Sequence, residues 1–325
     1  MNKFSKIFHR PINSKMAPGQ ILHGWINLDK PPEMTSTQAL GRVKHILGVK
    51  KAGHAGTLDP LATGCLPLAL GEATKTIQYA QDHLKTYHFE VTWGTATTTD
   101  DLQGEIKNKS DKRPDKDHIT DTLASYTGPI HQTPPQFSAI KIKGKRAYDM
   151  ARKGEVAAIK PRQVFIKSLE LLTWQKNKAT FQAICGKGVY IRSLARDMGE
   201  DLGCYGHISS LRRTQVGPFD EKNMITLDNL EKIVHSGDLH SAVYPAETML
   251  DDIPAIEFSA QEAARMKNGQ RLGFYNNPDV KRLENAGIDV TSKSISKAYA
   301  TLNGTIFALL EVERCKIKPE RILNI

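Results

Sequence analysis

The sequence predicts a mixed α+β fold in two units. Apolar runs of period two alternate irregularly with helical apolar stripes, without the repeating strand–helix–strand order of a doubly wound sheet. At 325 residues, the chain exceeds the size at which one core usually keeps growing, so a second domain is expected. Asp251-Asp252 and Pro254 place the boundary near residue 250.

Taken in order, Gly24 to Leu28 reads as a strand stopped by Lys30-Pro31-Pro32. Thr35 and Ser36 are N-cap residues for a helix carrying Leu40, Val43, Ile46 and Leu47. Residues 51–64, with three glycines and Pro60, read as a loop. Tyr87, Phe89, Val91 and Trp93 alternate with polar residues as in a half-buried strand. The charged, proline-broken stretch 107–118 reads as a solvated loop before a helix at 119–125. Ser138 to Arg146 reads as a strand and turn, followed by a short helix to about Lys153. Phe181, Ala183 and Cys185 alternate again. Ser193 is the expected cap of a helix with Leu194, Ala195, Met198 and Leu202 inward, ended by Gly203.

Beyond residue 250, Ser259-Ala260-Gln261-Glu262 forms a capping box. Asn303-Gly304 between two apolar runs signals a hairpin. Strands and one helix are expected there, making a small β-rich appendage.

Composition narrows the function. Hydrophobic residues make up 39% and charged residues 25%, as in an ordinary globular protein. No apolar run approaches the roughly 20 residues that span a bilayer. The four cysteines are scattered without a C-x-x-C pair, which fits neither a disulfide framework nor a zinc cage and suggests a reducing, cytoplasmic setting. The net charge of +10 suits a polyanionic partner. Residues 1–20 carry Lys3, Lys6, Arg10 and Lys15 without an acid. An organelle transit peptide shares that composition, but the short length, Pro11 and Pro18 favour a disordered basic leader.

The most informative stretch is Gly53-His54-Ala55-Gly56-Thr57-Leu58-Asp59-Pro60-Leu61-Ala62-Thr63-Gly64. Its glycines permit close backbone approach and Pro60 fixes the chain just after a carboxylate. It lacks the Gly-Lys-Ser/Thr of a phosphate loop and has no neighbouring metal-ligand set. On composition alone it reads as a turn. Its wording, however, resembles the catalytic motif of the stand-alone, bacterial-type tRNA pseudouridine-55 synthases. Further matches follow in that family's order: Asn27-Leu28-Asp29-Lys30-Pro31, Gly71-Glu72-Ala73-Thr74-Lys75, Lys85-Thr86-Tyr87, Phe137-Ser138-Ala139-Ile140-Lys141, Gly188-Val189-Tyr190-Ile191-Arg192-Ser193-Leu194 and Leu211-Arg212-Arg213.

That resemblance, spanning about Leu22 to Ile225, implies a largely antiparallel catalytic sheet over residues 21–249, with an RNA-gripping insertion around 130–155. A PUA-like RNA-binding domain is implied over 250–325. It implies an isomerase that flips a T-loop uridine out of its stack, cuts the C1′–N1 bond and rejoins the base through C5, without cofactor or metal. Asp59 stands at the nucleophile position, Arg192 at that of its guanidinium partner, and Tyr87 at that of an aromatic group stacking on the base and handling a proton. His54 matches the side chain that fills the vacated stack. Tyr190 and Leu211 match contacts to the flipped nucleotide, and Lys30 a lysine near the site. By pattern alone, Tyr87, Tyr190 and Leu211 are equally core residues, His54 a solvated loop histidine, Lys30 a turn cation and Arg192 a surface arginine.

Lys141, Lys143, Lys145 and Arg146 form a basic cluster suited to a phosphate backbone, or simply a solvated basic hairpin. The expected partner is tRNA, held by its T-arm and, through the C-terminal domain, its acceptor arm. No membrane association is expected, and a monomer is the default. Three other readings compete: a guide-RNA-dependent catalytic subunit, an RNA-folding helper with dead chemistry, and a glycoside hydrolase. The last needs a second carboxylate about 5 Å from the first if retaining, and the motif shows none.

Overall fold

A computed structural model describes residues 22–138, 140–142, 144–151 and 158–325. The expected leader therefore lies outside the described residues, as do Lys143 and the side chains of Lys141, Lys145 and Arg146. In chain order the first part comprises β1 (Gly24–Lys30), α1 (Ser36–Leu47), β2 (Ala52–His54), β3 (Thr63–Leu70), α2 (Ile77–Asp82), β4 (Lys85–Trp93), β5 (Thr95–Thr97), β6 (Ile106–Lys109), α3 (Lys116–Leu123) and β7 (Gly128–Gln132). It continues through β8 (Lys141–Ile142), β9 (Lys145–Arg146), α4 (Ala147–Ala151), β10 (Arg162–Gln175), β11 (Lys178–Cys185), α5 (Ile191–Asp201), β12 (Gly206–Val216), β13 (Phe219–Asp220) and α6 (Leu227–Ser236). The C-terminal part holds β14 (Ala255–Glu257), α7 (Ala260–Lys267), β15 (Leu272–Gly273), α8 (Asn277–Asn285), β16 (Ser296–Leu302), β17 (Thr305–Glu313) and β18 (Lys316–Ile322).

The main sheet runs β1-β3-β12-β4-β11-β10-β7, with β2 beside β3 and β13 beside β12. Its pairings are antiparallel except β3 with β12, which run parallel where Arg212 and Arg213 face Thr63 and Gly64. That junction matters because β3 leaves the glycine loop there. Gly64 adopts φ 94°, and a Cβ on it would lie 2.2 Å from the Arg213 carbonyl, so no larger residue fits.

The alternation over β4 is confirmed: Phe89, Val91 and Trp93 are buried and Tyr87 packs partly buried against the same cluster. Phe181 stacks on Phe89 with ring centroids 5.4 Å apart. Leu194, Ala195, Met198 and Leu202 give α5 its buried face, as expected. The helix sits so close to β12 that a Cβ on Gly199 would lie 2.2 Å from the Gly206 nitrogen.

Local chemistry corrects three boundaries. Ser193 does not cap α5: Tyr190 is the N-cap, and the Ser193 hydroxyl donates to the Thr133 carbonyl at 2.8 Å. The helix expected at 119–125 begins at Lys116 because Asp115 accepts from the His118 amide. The stretch read as loop from 107 also holds β6, paired with β5. At the other end of the chain, the capping box of Ser259 and Glu262 forms. Asn303 and Gly304, both at positive φ, turn the β16–β17 hairpin. The C-terminal sheet has order β14-β16-β17-β18-β15 and carries two helices rather than one.

Apolar residues join the two sheets. Trp25, Tyr79 and Phe219 share a cluster with Leu250, Ile306, Leu309 and Leu323. Around it, Lys75 Nζ donates to the Ile322 carbonyl at 2.6 Å, and the Asn324 amide donates to Glu72 at 3.1 Å. The Gly71–Lys75 stretch thus docks the end of the chain.

Candidate active site

Asp59 lies in the bend between β2 and β3, and several separate groups fix that bend. The Ser36 hydroxyl, at the start of α1, accepts from the Leu58 amide at 2.8 Å and donates to the Leu58 carbonyl at 3.0 Å. The Ala62 amide donates to the Asp59 carbonyl at 3.1 Å. Arg213, 1% exposed, donates to the Gly56 and Cys65 carbonyls at 3.0 and 2.6 Å, clamping both sides of the loop. Lys30, fully buried, donates to the carbonyls of Pro31, Met34 and Pro60 at 2.8, 2.6 and 3.3 Å. Burial pulls its pKa down to about 8, opposed by the Asp59 charge and assisted by Arg213.

Arg192 comes from the first turn of α5 and meets Asp59 in a two-point grip: Nε to Oδ2 at 2.8 Å and Nη2 to Oδ1 at 2.9 Å. Its remaining donors reach the Thr99 and Phe137 carbonyls, each at 3.0 Å. The guanidinium side chain is 5% exposed while that of Asp59 keeps 33%. One end of the pair is therefore anchored in protein and the carboxylate opens outward. Planar bidentate pairing of this kind fixes orientation as well as charge.

The other expected residues are placed as follows. Tyr87 is directly opposite Arg213 in the β4–β12 pairing. Burial pushes its hydroxyl pKa up, Arg213 opposes that as a charge and hydrogen-bond donor, and the Asp59 carboxylate adds to it. Leu211, opposite Phe89, is 6% exposed, so most of it serves the core. His54 lies at the end of β2 with Nδ1 buried and unpartnered among the described residues. Burial, then Arg213, lower its pKa, which keeps the ring neutral and flat-sided near neutral pH. Tyr190 precedes α5, and the Arg162 guanidinium lies 5.3 Å from its ring centroid. The distances join Asp59 to Arg192 directly, while Lys30 reaches the loop through the Pro60 carbonyl and Asp59 by charge. Tyr87 is joined by charge, and Tyr190 by its place in the chain.

Sequence reasoning missed several participants. Asp101, 2% exposed, lies 3.8 Å from Arg192 Nε and accepts from the Thr99 hydroxyl and Gln103 amide. The Thr97-Thr98-Thr99-Asp100-Asp101 run was its only signal, one that self-bonding turns share. Gln132, 1% exposed, accepts from the Tyr190 amide at 2.7 Å and donates to its carbonyl at 3.0 Å, tying β7 to the start of α5. Among the described residues, the trio of potential metal-binding side chains is His83, Asp251 and Asp252, none of them part of the Asp59 surroundings.

Comparison with known proteins bears on the family and the fold. The model of the TruB family pseudouridylate synthase N-terminal domain matches residues 44–191, and that of the tRNA pseudouridylate synthase B C-terminal domain matches 192–251. A Bradyrhizobium diazoefficiens protein named tRNA pseudouridine synthase B is 48% identical over 310 residues, covering 94% of this chain and 86% of that one. Its namesake in Agrobacterium fabrum is 45% identical over 314 residues, covering 94% and 96%. Among solved structures, the archaeal box H/ACA sRNP Nop10–Cbf5 complex matches with TM-score 0.68 at 24% identity, over 93% of this chain and 86% of that one. An H/ACA RNP bound to a substrate RNA containing 2′-deoxyuridine matches with TM-score 0.69 at 22% identity, over 97% and 93%. At these identities the structural matches speak for the fold alone.

Proposed function

The chain belongs to the TruB family of pseudouridylate synthases and converts uridine to pseudouridine in tRNA; on that premise we propose that its target is uridine 55 of the T-loop and that Asp59 is the nucleophile. One observation carries the assignment of Asp59: both of its carboxylate oxygens are held by one edge of a buried guanidinium while the side chain stays one-third exposed. A carboxylate so fixed needs little reorganisation before it meets an incoming nucleotide. Isomerisation moves no electrons between partners. The C1′–N1 bond breaks, the base turns, and a C1′–C5 bond forms as C5 loses its proton and N1 gains one.

The remaining roles follow from placement. Tyr87 stacks on the base and handles the C5 proton. His54 fills the gap left in the T-loop stack, for which a neutral, flat ring is suited. Tyr190 and Leu211 border the flipped nucleotide, and Lys30 holds the loop through the Pro60 carbonyl. Lys141, Lys143, Lys145 and Arg146, in the 130–155 insertion, track the phosphate backbone of the T-arm. The chain divides near residue 250 into a catalytic part and a PUA-like part that meets the acceptor arm. It works as a cytoplasmic monomer. Among the described residues no helix is long and apolar enough to cross a membrane.

Relatives above 40% identity bear the name of a tRNA enzyme, which favours stand-alone action over guide-RNA dependence. Purified protein incubated with unmodified tRNA, with no other RNA or protein, is expected to yield pseudouridine at position 55. Product at another position overturns the target assignment, and dependence on an added guide RNA overturns stand-alone action.

A further inference from the structure

Among the described residues Arg213 has no carboxylate in salt-bridge range, although it is only 1% exposed. Its guanidinium donates to two neutral carbonyls, of Gly56 and Cys65, and lowers the Tyr87 pKa as a charge and hydrogen-bond donor. Lys30, His54 and Lys85 all lose basicity to it, while Asp59, whose charge acts on Lys30 and Tyr87 alongside it, is paired with Arg192. Burying an uncompensated cation costs several kcal/mol, and an apolar side chain of similar volume is often no worse for stability. A purely structural account therefore leaves the charge unexplained. The neighbouring arginine, Arg212, shows the contrast: its side chain is 34% exposed and paired with both Asp29 and Glu221.

The strand register shows what the charge faces. Arg213 stands directly opposite Tyr87 across the β12–β4 pairing, and its Nη1 lies 3.4 Å from where a Gly56 Cβ would sit. Gly56 precedes Asp59 by three residues. We propose that Arg213 is a positioning residue for the reaction: from one buried guanidinium it fixes the backbone before the nucleophile and presents a positive charge to the Tyr87 hydroxyl, so that this oxygen can accept the substrate proton. The inference rests on the reading of Tyr87 as the group that handles the C5 proton. When that proton leaves carbon, its bonding pair stays with the base and the proton passes to the phenolic oxygen. A nearby guanidinium favours the ionised, accepting form of that oxygen.

The test compares Arg213→Gln and Arg213→Lys in wild-type and Tyr87→Phe backgrounds, using tRNA transcripts carrying tritium at uridine C5. Single-turnover tritium release is followed from about pH 6 to 10, with tRNA binding measured alongside. Arg213→Gln is expected to slow release about 100-fold or more with tRNA affinity unchanged within about twofold. Removing the cation raises the Tyr87 pKa, so the rising alkaline limb moves to higher pH. Arg213→Lys, which keeps the charge, recovers part of the rate and returns the limb toward the wild-type position. In the Tyr87→Phe background, Arg213→Gln retains only the part of its loss that comes from the freed loop, so the two losses combine to clearly less than their product. Folded Arg213→Gln with the wild-type pH profile overturns the proposal, and so do losses that multiply fully in the double variant. If neither variant folds, a nuclear Overhauser contact between the Arg213 guanidinium protons and the Tyr87 ring in the wild-type protein decides, and its absence overturns the proposal. A Tyr87→Phe protein that releases tritium at the wild-type rate would instead refute the reading of Tyr87 itself, leaving the loop-holding bonds of Arg213 intact.

Discussion

Replacing Arg192 by lysine keeps the charge but removes the planar fork, and the geometry sets the size of the loss. The guanidinium makes two charge-assisted bonds to Asp59, at 2.8 and 2.9 Å, and two to carbonyls at 3.0 Å. Such bonds contribute about 1.5–3 kcal/mol each. The Asp59 side chain keeps 33% exposure, so solvent screening favours the lower end of that range. A lysine ammonium can retain one carboxylate contact but cannot grip both oxygens and reach the two carbonyls together. The expected loss in carboxylate alignment is about 2–3 kcal/mol, which is roughly 30- to 150-fold in rate. A carbonyl of Thr99 or Phe137 left unpaired also costs about 1–3 kcal/mol of stability. Single-turnover pseudouridine formation on unmodified tRNA reads the first effect and urea unfolding the second. An Arg192→Lys enzyme within about threefold of wild-type rate would refute the claim that two-point pairing orients the nucleophile.

Three further outcomes follow from the same structure. Burial holds Lys30 and Lys85 near pKa 8, below their usual 10.5, so between those values the unfolded chain binds more protons and stability rises with pH. Lys30→Met should remove up to about 3 kcal/mol of that rise relative to wild type; urea midpoints with identical pH slopes would contradict it. Ser36→Ala leaves the Leu58 amide and carbonyl without their partner and should cost about 1–2 kcal/mol of stability. It should also slow turnover while tRNA affinity stays within about twofold, and unchanged turnover would show that the bend needs no such anchor. Neutralising Lys143 and Lys145 together should make the salt dependence of tRNA binding shallower by about one to two units of log–log slope. An unaltered slope would remove the basic hairpin from the interface.

The sequence revealed elements wherever one residue's neighbours in the chain were also its neighbours in space. The capping box at Ser259, the Asn303-Gly304 hairpin and the alternation through Phe89, Val91 and Trp93 are of that kind. Helix α5 was legible from its apolar face, but its N-terminus was not, because Gln132 from a distant strand satisfies the Tyr190 backbone where a local serine cap was expected. The site divides in the same way. Asp59 stood out through the resemblance of its loop, whereas Asp101, Ser36 and Gln132 act on partners distant in the chain, which the turn-like run before Asp101 and the capping position of Ser36 do not announce. Arg213 was visible only as part of a motif. Its burial, with no carboxylate in salt-bridge range among the described residues, emerges from the β3–β12–β4 pairing, which period and composition do not encode.

The central claim is that the carboxylate of Asp59, aligned by Arg192, performs the covalent step. Its most direct test maps pseudouridine at every position of an unmodified tRNA after incubation with wild-type protein and with Asp59→Asn, under conditions where both bind the tRNA equally. Full conversion at position 55 is expected for the wild type and none for the asparagine variant. Equal conversion by the two proteins would contradict it.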